Sequence, residues 1–133
     1  APLSADVYKV FIHPLDEVKC LLLAYCPYAN FYKEKPVADG IAFSCNFNRM
    51  QPSLLTFYEG IEHELFGGLN LEYYQESKLD YLSSQGVVLL NSALTVQKDI
   101  PGSHNKIWEP FIKYVLENDL ICSFKLQDWW IQK

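Results

Sequence analysis

Gln85-Gly86-Val87-Val88-Leu89-Leu90-Asn91-Ser92-Ala93-Leu94-Thr95-Val96 is the stretch whose reading decides the fold of this chain. Gly86 opens an unbroken apolar run, and Asn91 closes it with an amide. Continuous apolar residues, rather than an alternation, mark a strand covered on both faces, as in parallel sheets flanked by helices. A second such run, Val18-Lys19-Cys20-Leu21-Leu22-Leu23-Ala24, leads into a loop marked by Pro27 and Asn30. Leu120-Ile121-Cys122-Ser123-Phe124 reads as a third strand. Ile41-Ala42-Phe43-Ser44-Cys45, after Gly40, reads as a shorter and weaker extended segment.

Helical spacing separates these runs. Leu54, Leu55, Tyr58, Ile61 and Leu65 recur at the helical period, started by Pro52-Ser53 and stopped by Gly67-Gly68. Lys78 to Ser84 suits a shorter helix. Trp108, Phe111, Ile112, Val115 and Leu116 form another amphipathic pattern. Strands alternating with helices predict an α/β fold with a mostly parallel sheet. In such a fold the loops at the C-terminal ends of the strands are where ligands bind.

The chain has 133 residues, half of them apolar, enough for one domain spanning 1–133 and one core. The longest apolar runs are strand-sized, far below the roughly 18 residues of a membrane span. Ala1-Pro2-Leu3-Ser4 does not resemble a secretory leader, so the expected location is intracellular, in cytoplasm or nucleus, or that of a virus- or phage-encoded protein. Cys20, Cys26, Cys45 and Cys122 form no C-x-x-C pair and read as reduced, buried thiols. His13, His63 and His104 are scattered, so neither a metal site nor a cofactor is expected. The formal charge of −5 argues mildly against tight, general binding of duplex DNA, although it leaves room for a local basic patch.

Several co-linear motifs resemble the family 1 uracil-DNA glycosylases. That family carries the pattern L-L-L-N-x-x-L-T-V, then S-H, then W-E-x-F. This chain has Leu89-Leu90-Asn91-Ser92-Ala93-Leu94-Thr95-Val96, then Ser103-His104, then Trp108-Glu109-Pro110-Phe111. Asp39-Gly40-Ile41-Ala42-Phe43-Ser44 resembles the family segment G-L-A-F-S, and Pro52-Ser53-Leu54-Leu55 its proline-serine loop. The likeness runs from about Val7 to Val115. It implies a three-layer α/β/α sandwich with a mostly parallel central sheet, shortened at both ends. One catalytic loop of the family reads G-Q-D-P-Y-H, against Ala24-Tyr25-Cys26-Pro27-Tyr28-Ala29 here. Pro and Tyr are kept; Gln, Asp and His are not. The family's second catalytic element, H-P-S-P, has no counterpart.

The resemblance implies roles for particular residues. Asn91 is expected to hydrogen-bond the edge of an extruded uracil, Phe43 to stack on its face, and Tyr28 to fill the space beside C5. Ser53 and Ser103 are expected to hold flanking phosphates. Each residue also has a plainer use: Phe43 in the core, Tyr28 closing the turn after Pro27, Asn91 satisfying loop backbone. Hydrolysis of the glycosidic bond asks for more, namely a carboxylate to position water and a donor to stabilise the departing base. Cys26 stands at the carboxylate position. An ordinary thiol, with a reference pKa near about 8.5, is a poor water acceptor at neutral pH. Asp39 is a possible substitute, or else a solvated loop residue before Gly40. His104 reads as structural or as a loop anchor.

Three functions follow. The first is a glycosylase-like protein that has lost most base excision and works by binding single-stranded or uracil-containing DNA, or a protein partner. The second is an active N-glycosyl hydrolase of base-excision repair. The third is a structural or assembly protein of a phage or mobile element that reuses the fold. In the tail, Leu126, Trp129, Trp130 and Ile131 read as a candidate contact surface or, more plainly, as a docked terminal helix.

Overall fold

The computed structural model describes residues 1–67 and 76–120. Three short 3-10 turns, Ser4–Asp6, Lys9–Phe11 and Leu15–Glu17, lead into strand β1, Cys20–Ala24. A two-residue-strand hairpin follows, β2 (Phe31–Tyr32) with β3 (Lys35–Pro36), then helix α1 (Pro52–Phe66) and the short helix α2 (Asp80–Ser83). Strand β4 spans Val87–Asn91, and helix α3 spans Asn105–Tyr114, continued by a wider π turn over Val115–Leu120. The helix expected from Pro52 and the strand expected from Val87 are both present with those limits. Of the expected third strand, Leu120 belongs to the π turn, and the rest lies outside the described residues, as do Cys122 and the tail aromatics.

β1 and β4 pair in parallel, from Cys20↔Val87 through Ala24↔Asn91. Side chains alternate across the pair, and each face feeds its own core. On one face Leu21, Val88 and Leu90 pack with Val10, Leu94, Ile112 and Val115. On the other, Leu89 packs with Leu54 and Tyr58 of α1 and with Leu79, with Leu22, Ala24 and Val87 at its edge. The helices therefore cover both faces, and the three-layer arrangement follows. Among the described residues, no helix is long and apolar enough to cross a membrane.

α1 begins with Pro52, whose missing N–H costs nothing at a first helical position, and ends at Gly67 with φ 65°. Its inward stripe is Leu54, Tyr58 and Glu62, all at most 1 % exposed. The Tyr58 hydroxyl donates to the Glu76 carbonyl at 2.9 Å and shares a 2.8 Å bond with Tyr81. Glu62 was not part of the expected stripe.

Two expectations change. Ile41–Cys45 is not extended: Ser44 N–H donates to the Ile41 carbonyl, closing a turn, and Phe43 has φ 65°. Gly40 starts this turn with φ 96°, and a Cβ there would collide with the Asp6 carbonyl oxygen. Only glycine satisfies both demands. Among the cysteines, Cys45 is buried, but Cys26 is half-buried and Cys20 exposed; all three are free thiols. Cys20 is the first residue of β1, where the apolar run begins and cover is incomplete.

In the β2–β3 hairpin, Phe31 faces Pro36 and Tyr32 faces Lys35. Its two turn residues, Lys33 and Glu34, have φ 47° and 63°. Two-residue hairpins favour this left-handed pair, but usually supply it with Asn-Gly; with side chains of this size it costs about 1 kcal/mol or more per residue.

Both carboxylate oxygens of Glu62 are buried, with no hydrogen-bond partner among the described residues. A buried polar group left unpaired costs about 1–3 kcal/mol. Replacing Glu62→Met, similar in volume and free of that cost, should raise the thermal midpoint, as read by circular dichroism. A fall in the midpoint would show that the carboxylate has a stabilising partner.

Candidate functional site

The C-terminal ends of β1 and β4 hold the candidate site. Ala24 and Asn91 are register partners there, and the next residue, Ser92, donates both its N–H and its hydroxyl to the Ala24 carbonyl, each at 2.8 Å. The two loops leaving the strands are thus fixed side by side. The Phe43 turn closes the third side, tied in by the Ala42 N–H to the Leu89 carbonyl at 3.0 Å.

These segments enclose a cavity of about 310 Å³, lined by Tyr25, Cys26, Tyr28, Phe43, Ser53 and Asn91 with small neighbours such as Gly40. Pockets for small ligands begin near this size. Larger hollows, about 520 and 370 Å³, lie against α3 and involve none of the residues expected at the base, the phosphates or the catalytic position. Five of those residues, Cys26, Tyr28, Phe43, Ser53 and Asn91, are brought together here. Ser103 and Asp39 are not among its lining residues.

Asn91 is 6 % exposed, and its Oδ1 is buried without a hydrogen-bond partner among the described residues. Loop backbone therefore does not satisfy that oxygen. The Tyr28 hydroxyl donates to the Phe43 carbonyl at 3.1 Å and shares a 2.8 Å bond with the Ser53 hydroxyl. Burial pushes the Tyr28 phenol up to about 12, the Ser53 bond opposing it, so Tyr28 is neutral at physiological pH. Phe43 is half-buried, and Phe57 stacks on it with centroids 5.3 Å apart and planes 12° from parallel. The left-handed Phe43 backbone is thus restrained by the Tyr28 bond and the Phe57 stack. Such restrained strain is characteristic of ligand sites.

Asp39 is 1 % exposed, which corrects the reading of a solvated loop residue. One carboxylate oxygen accepts from the Ile41 N–H at 3.1 Å and the other from the Ser44 hydroxyl at 2.5 Å. Ser44 in turn accepts from the Leu79 N–H at 2.9 Å. Asp39 caps the Phe43 turn and, through Ser44, joins it to the start of α2. Its carboxylate is engaged in the scaffold.

Ser103 is exposed, and its hydroxyl accepts from the Gln97 N–H at 2.8 Å, which ties the loop after Val96 to itself. His104 Nδ1 lies 2.9 Å from the Thr95 hydroxyl, which also accepts from Trp108 Nε1 at 2.7 Å. His104 is a loop anchor, as its sequence position suggested. Tyr25 also lines the cavity. It is 67 % exposed, and its ring passes so close to Gly102 (φ 72°) that any Cβ there would strike it. An aromatic beside Cys26, with a glycine in the facing loop, is a signal visible only once the two loops are known to meet. Among the described residues, no group of three or more His, Cys, Asp or Glu could hold a metal ion.

The arrangement is an α/β fold with a small cavity at the C-terminal strand ends, aromatic on two sides and carrying one unsatisfied amide oxygen. No family model matches the chain. Its sequence is 37 % identical over 120 residues to the uracil-DNA glycosylase of Fusobacterium nucleatum, covering 88 % of this chain and 50 % of that protein. Against the Saccharomyces cerevisiae enzyme of the same name it is 33 % identical over 122 residues, covering 87 % and 32 %. The crystal structure of mimivirus uracil-DNA glycosylase superposes with a TM-score of 0.67 at 26 % identity, over 84 % of this chain and 41 % of that one. A mimivirus UNG variant in complex with UGI superposes with a TM-score of 0.71 at 24 % identity, over 85 % and 43 %. The chain belongs to the uracil-DNA glycosylase family. It spans about half the length of the Fusobacterium relative.

Burial holds the Asp39 carboxyl above the ordinary carboxylate range, against the opposing pull of the Ser44 and Ile41 bonds. The folded state therefore binds this proton more tightly than the unfolded state. Its contribution to stability is full below the unfolded value, near about 4, and is lost as pH rises through the raised folded value. Asp39→Asn removes this titration. Thermal midpoints of the two proteins, measured from acid to neutral pH, should show the wild type losing ground to the variant as pH rises. A constant difference would mean that Asp39 titrates normally.

Proposed function

We propose that this chain receives an extruded uracil from single-stranded or uracil-containing DNA and excises it far more slowly than a fully equipped glycosylase would. The observation that carries the reading is the unpaired Asn91 Oδ1 in a cavity whose wall presents Cys26 where the family motif has a carboxylate. The uracil N3–H would satisfy that oxygen, and the amide nitrogen would donate to uracil O4. Cytosine presents the opposite pattern at both atoms. Phe43, backed by Phe57, would lie against the base, and the Tyr28 ring would occupy the space beside C5. With its hydroxyl engaged by Phe43 and Ser53, Tyr28 acts there through shape.

Bond cleavage is a separate demand. As the base leaves with the bonding electron pair, the sugar becomes cationic and water must add to it. Cys26 supplies no charge for either event, and the Asp39 carboxylate is occupied by Ser44 and Ile41. Loss of one preorganised electrostatic group costs about 10²–10³ in rate. The competing reading, an active base-excision enzyme, is favoured by the 33–37 % identity to proteins named uracil-DNA glycosylase.

Two measurements decide between them. Release of free uracil from single-stranded uracil-DNA should be at least about 100-fold slower for the wild type than for Cys26→Asp. Release by the wild type at an enzyme-like rate, equal to that of Cys26→Asp, would refute the impaired reading. Binding to matched strands should favour uracil over thymine, and Asn91→Ala should abolish the preference; a wild type that does not discriminate would remove the base-binding half of the proposal.

A further inference from the structure

The β2–β3 hairpin carries an arrangement that the cavity does not use. The guanidinium of Arg49 lies 4.4 Å from the centroid of the Tyr32 ring, and the Lys33 ammonium 5.4 Å from the same ring. Lys98 reaches across from the loop after Val96 to the Phe31 ring, at 5.0 Å. Phe47 meets Tyr32 edge to face at 5.1 Å and braces it from behind. Lys33, Lys35, Arg49 and Lys98 are all exposed. Among the described residues none of the four forms an ion pair, although Glu34 and Asp99 are neighbours in sequence. Four unpaired cations, three of them held on ring faces, stand out in a chain whose formal charge is −5.

Their position adds a second argument. The hairpin follows directly on the Tyr25–Ala29 loop that lines the cavity, and the Ala29 carbonyl accepts from the Asp99 N–H at 2.8 Å. That bond joins the Lys98 loop to the end of the cavity loop. Asn46 Nδ2 donates to the Pro36 and Ala38 carbonyls, at 3.1 and 3.0 Å, fixing the segment that bears Arg49 against β3. The strained turn at Lys33-Glu34 keeps a charged pair where an Asn-Gly would be more comfortable, and strain maintained on a surface points to use. Lys33 and Arg49 sit on Tyr32 and Lys98 on the adjacent Phe31, so the cations are spread over the hairpin rather than gathered at one point, which fits an extended polyanion better than a single phosphate. A guanidinium held over an aromatic ring still has N–H donors to offer phosphate oxygens.

We propose that the hairpin, with Arg49 and Lys98, is a platform for the sugar-phosphate backbone of a single DNA strand running past the cavity. The proposal rests on the DNA-binding reading above, but it concerns contacts that ignore base identity. Neutralising phosphates along a single strand releases counterions, about 0.7 in the slope of log K against log salt for each phosphate. Aromatic neighbours suit a strand whose bases are unstacked.

The test is fluorescence anisotropy of the full chain with two labelled single strands, one of thymidine only and one containing a single uracil, across about 50–200 mM salt. The variant combines Lys33→Asn, Arg49→Gln and Lys98→Gln; asparagine tolerates the left-handed turn. Both strands should bind at least tenfold more weakly, and the salt slope should fall by about 2. Any uracil preference seen in the wild type should survive, which also shows that the variant is folded. Unchanged affinity and salt slope on both strands would overturn the platform. Asn91→Ala distinguishes the two ideas: it should remove the uracil preference and leave the thymidine strand unaffected. A wild type without that preference whose hairpin variant still loses affinity refutes the cavity reading and sustains the platform.

Discussion

The parallel pairing of β1 with β4 is the constraint on which the rest of this structure depends. Its register puts Ala24 beside Asn91, and the two Ser92 bonds to the Ala24 carbonyl extend that alignment into the loops. The same pairing sorts the apolar side chains: Leu21, Val88 and Leu90 face α3, while Leu89 faces α1. A slip of one residue would exchange those faces and move Asn91 off the cavity. Packing and recognition are therefore two results of one register.

The sheet, α1 and the helix before the π turn were legible because their signals are local and redundant. An unbroken apolar run, a Pro52 start and a Gly67 stop need no knowledge of the rest of the chain. The Phe43 turn was not legible, because apolar Ile41-Ala42-Phe43 looks like a strand until its tertiary restraints are known. Gly40 must clear the Asp6 carbonyl, Asp39 must cap the turn, and Tyr28 must hold Phe43, and the Asp6 and Tyr28 contacts come from distant parts of the sequence. Asp39 misled for a related reason. A carboxylate before glycine reads as solvated, and only the Ser44 and Leu79 bonds explain its burial. The hairpin escaped notice because Lys33-Glu34 carries none of the residues that usually announce a tight turn.

Of the site, the membership was read from the family motifs and the geometry adds what each member is free to do. Cys26, Tyr28, Phe43, Ser53 and Asn91 share one cavity, yet their hydrogen-bonding capacity is unevenly spent. Tyr28 and Ser53 satisfy each other, Asp39 is committed to the scaffold, and the Asn91 oxygen is left over. An unspent acceptor in a buried wall is the part of the site that asks for a ligand. Ser53 shares its hydrogen bond with Tyr28, whereas the exposed Ser103 hydroxyl accepts from the Gln97 N–H and keeps its own hydrogen to donate.

The restraints on Phe43 also bear on the tempo of binding. Its ring is positioned by a stack, a hydrogen bond and a backbone strain that all come from the protein's own residues. A loop that is ordered beforehand adds no closing step and no ordering entropy when the ligand arrives. The slow event then belongs to the nucleic acid, whose base must leave its neighbours before it can enter. Encounter on such a rigid socket would be timed by the DNA, quickest where a base is already unstacked.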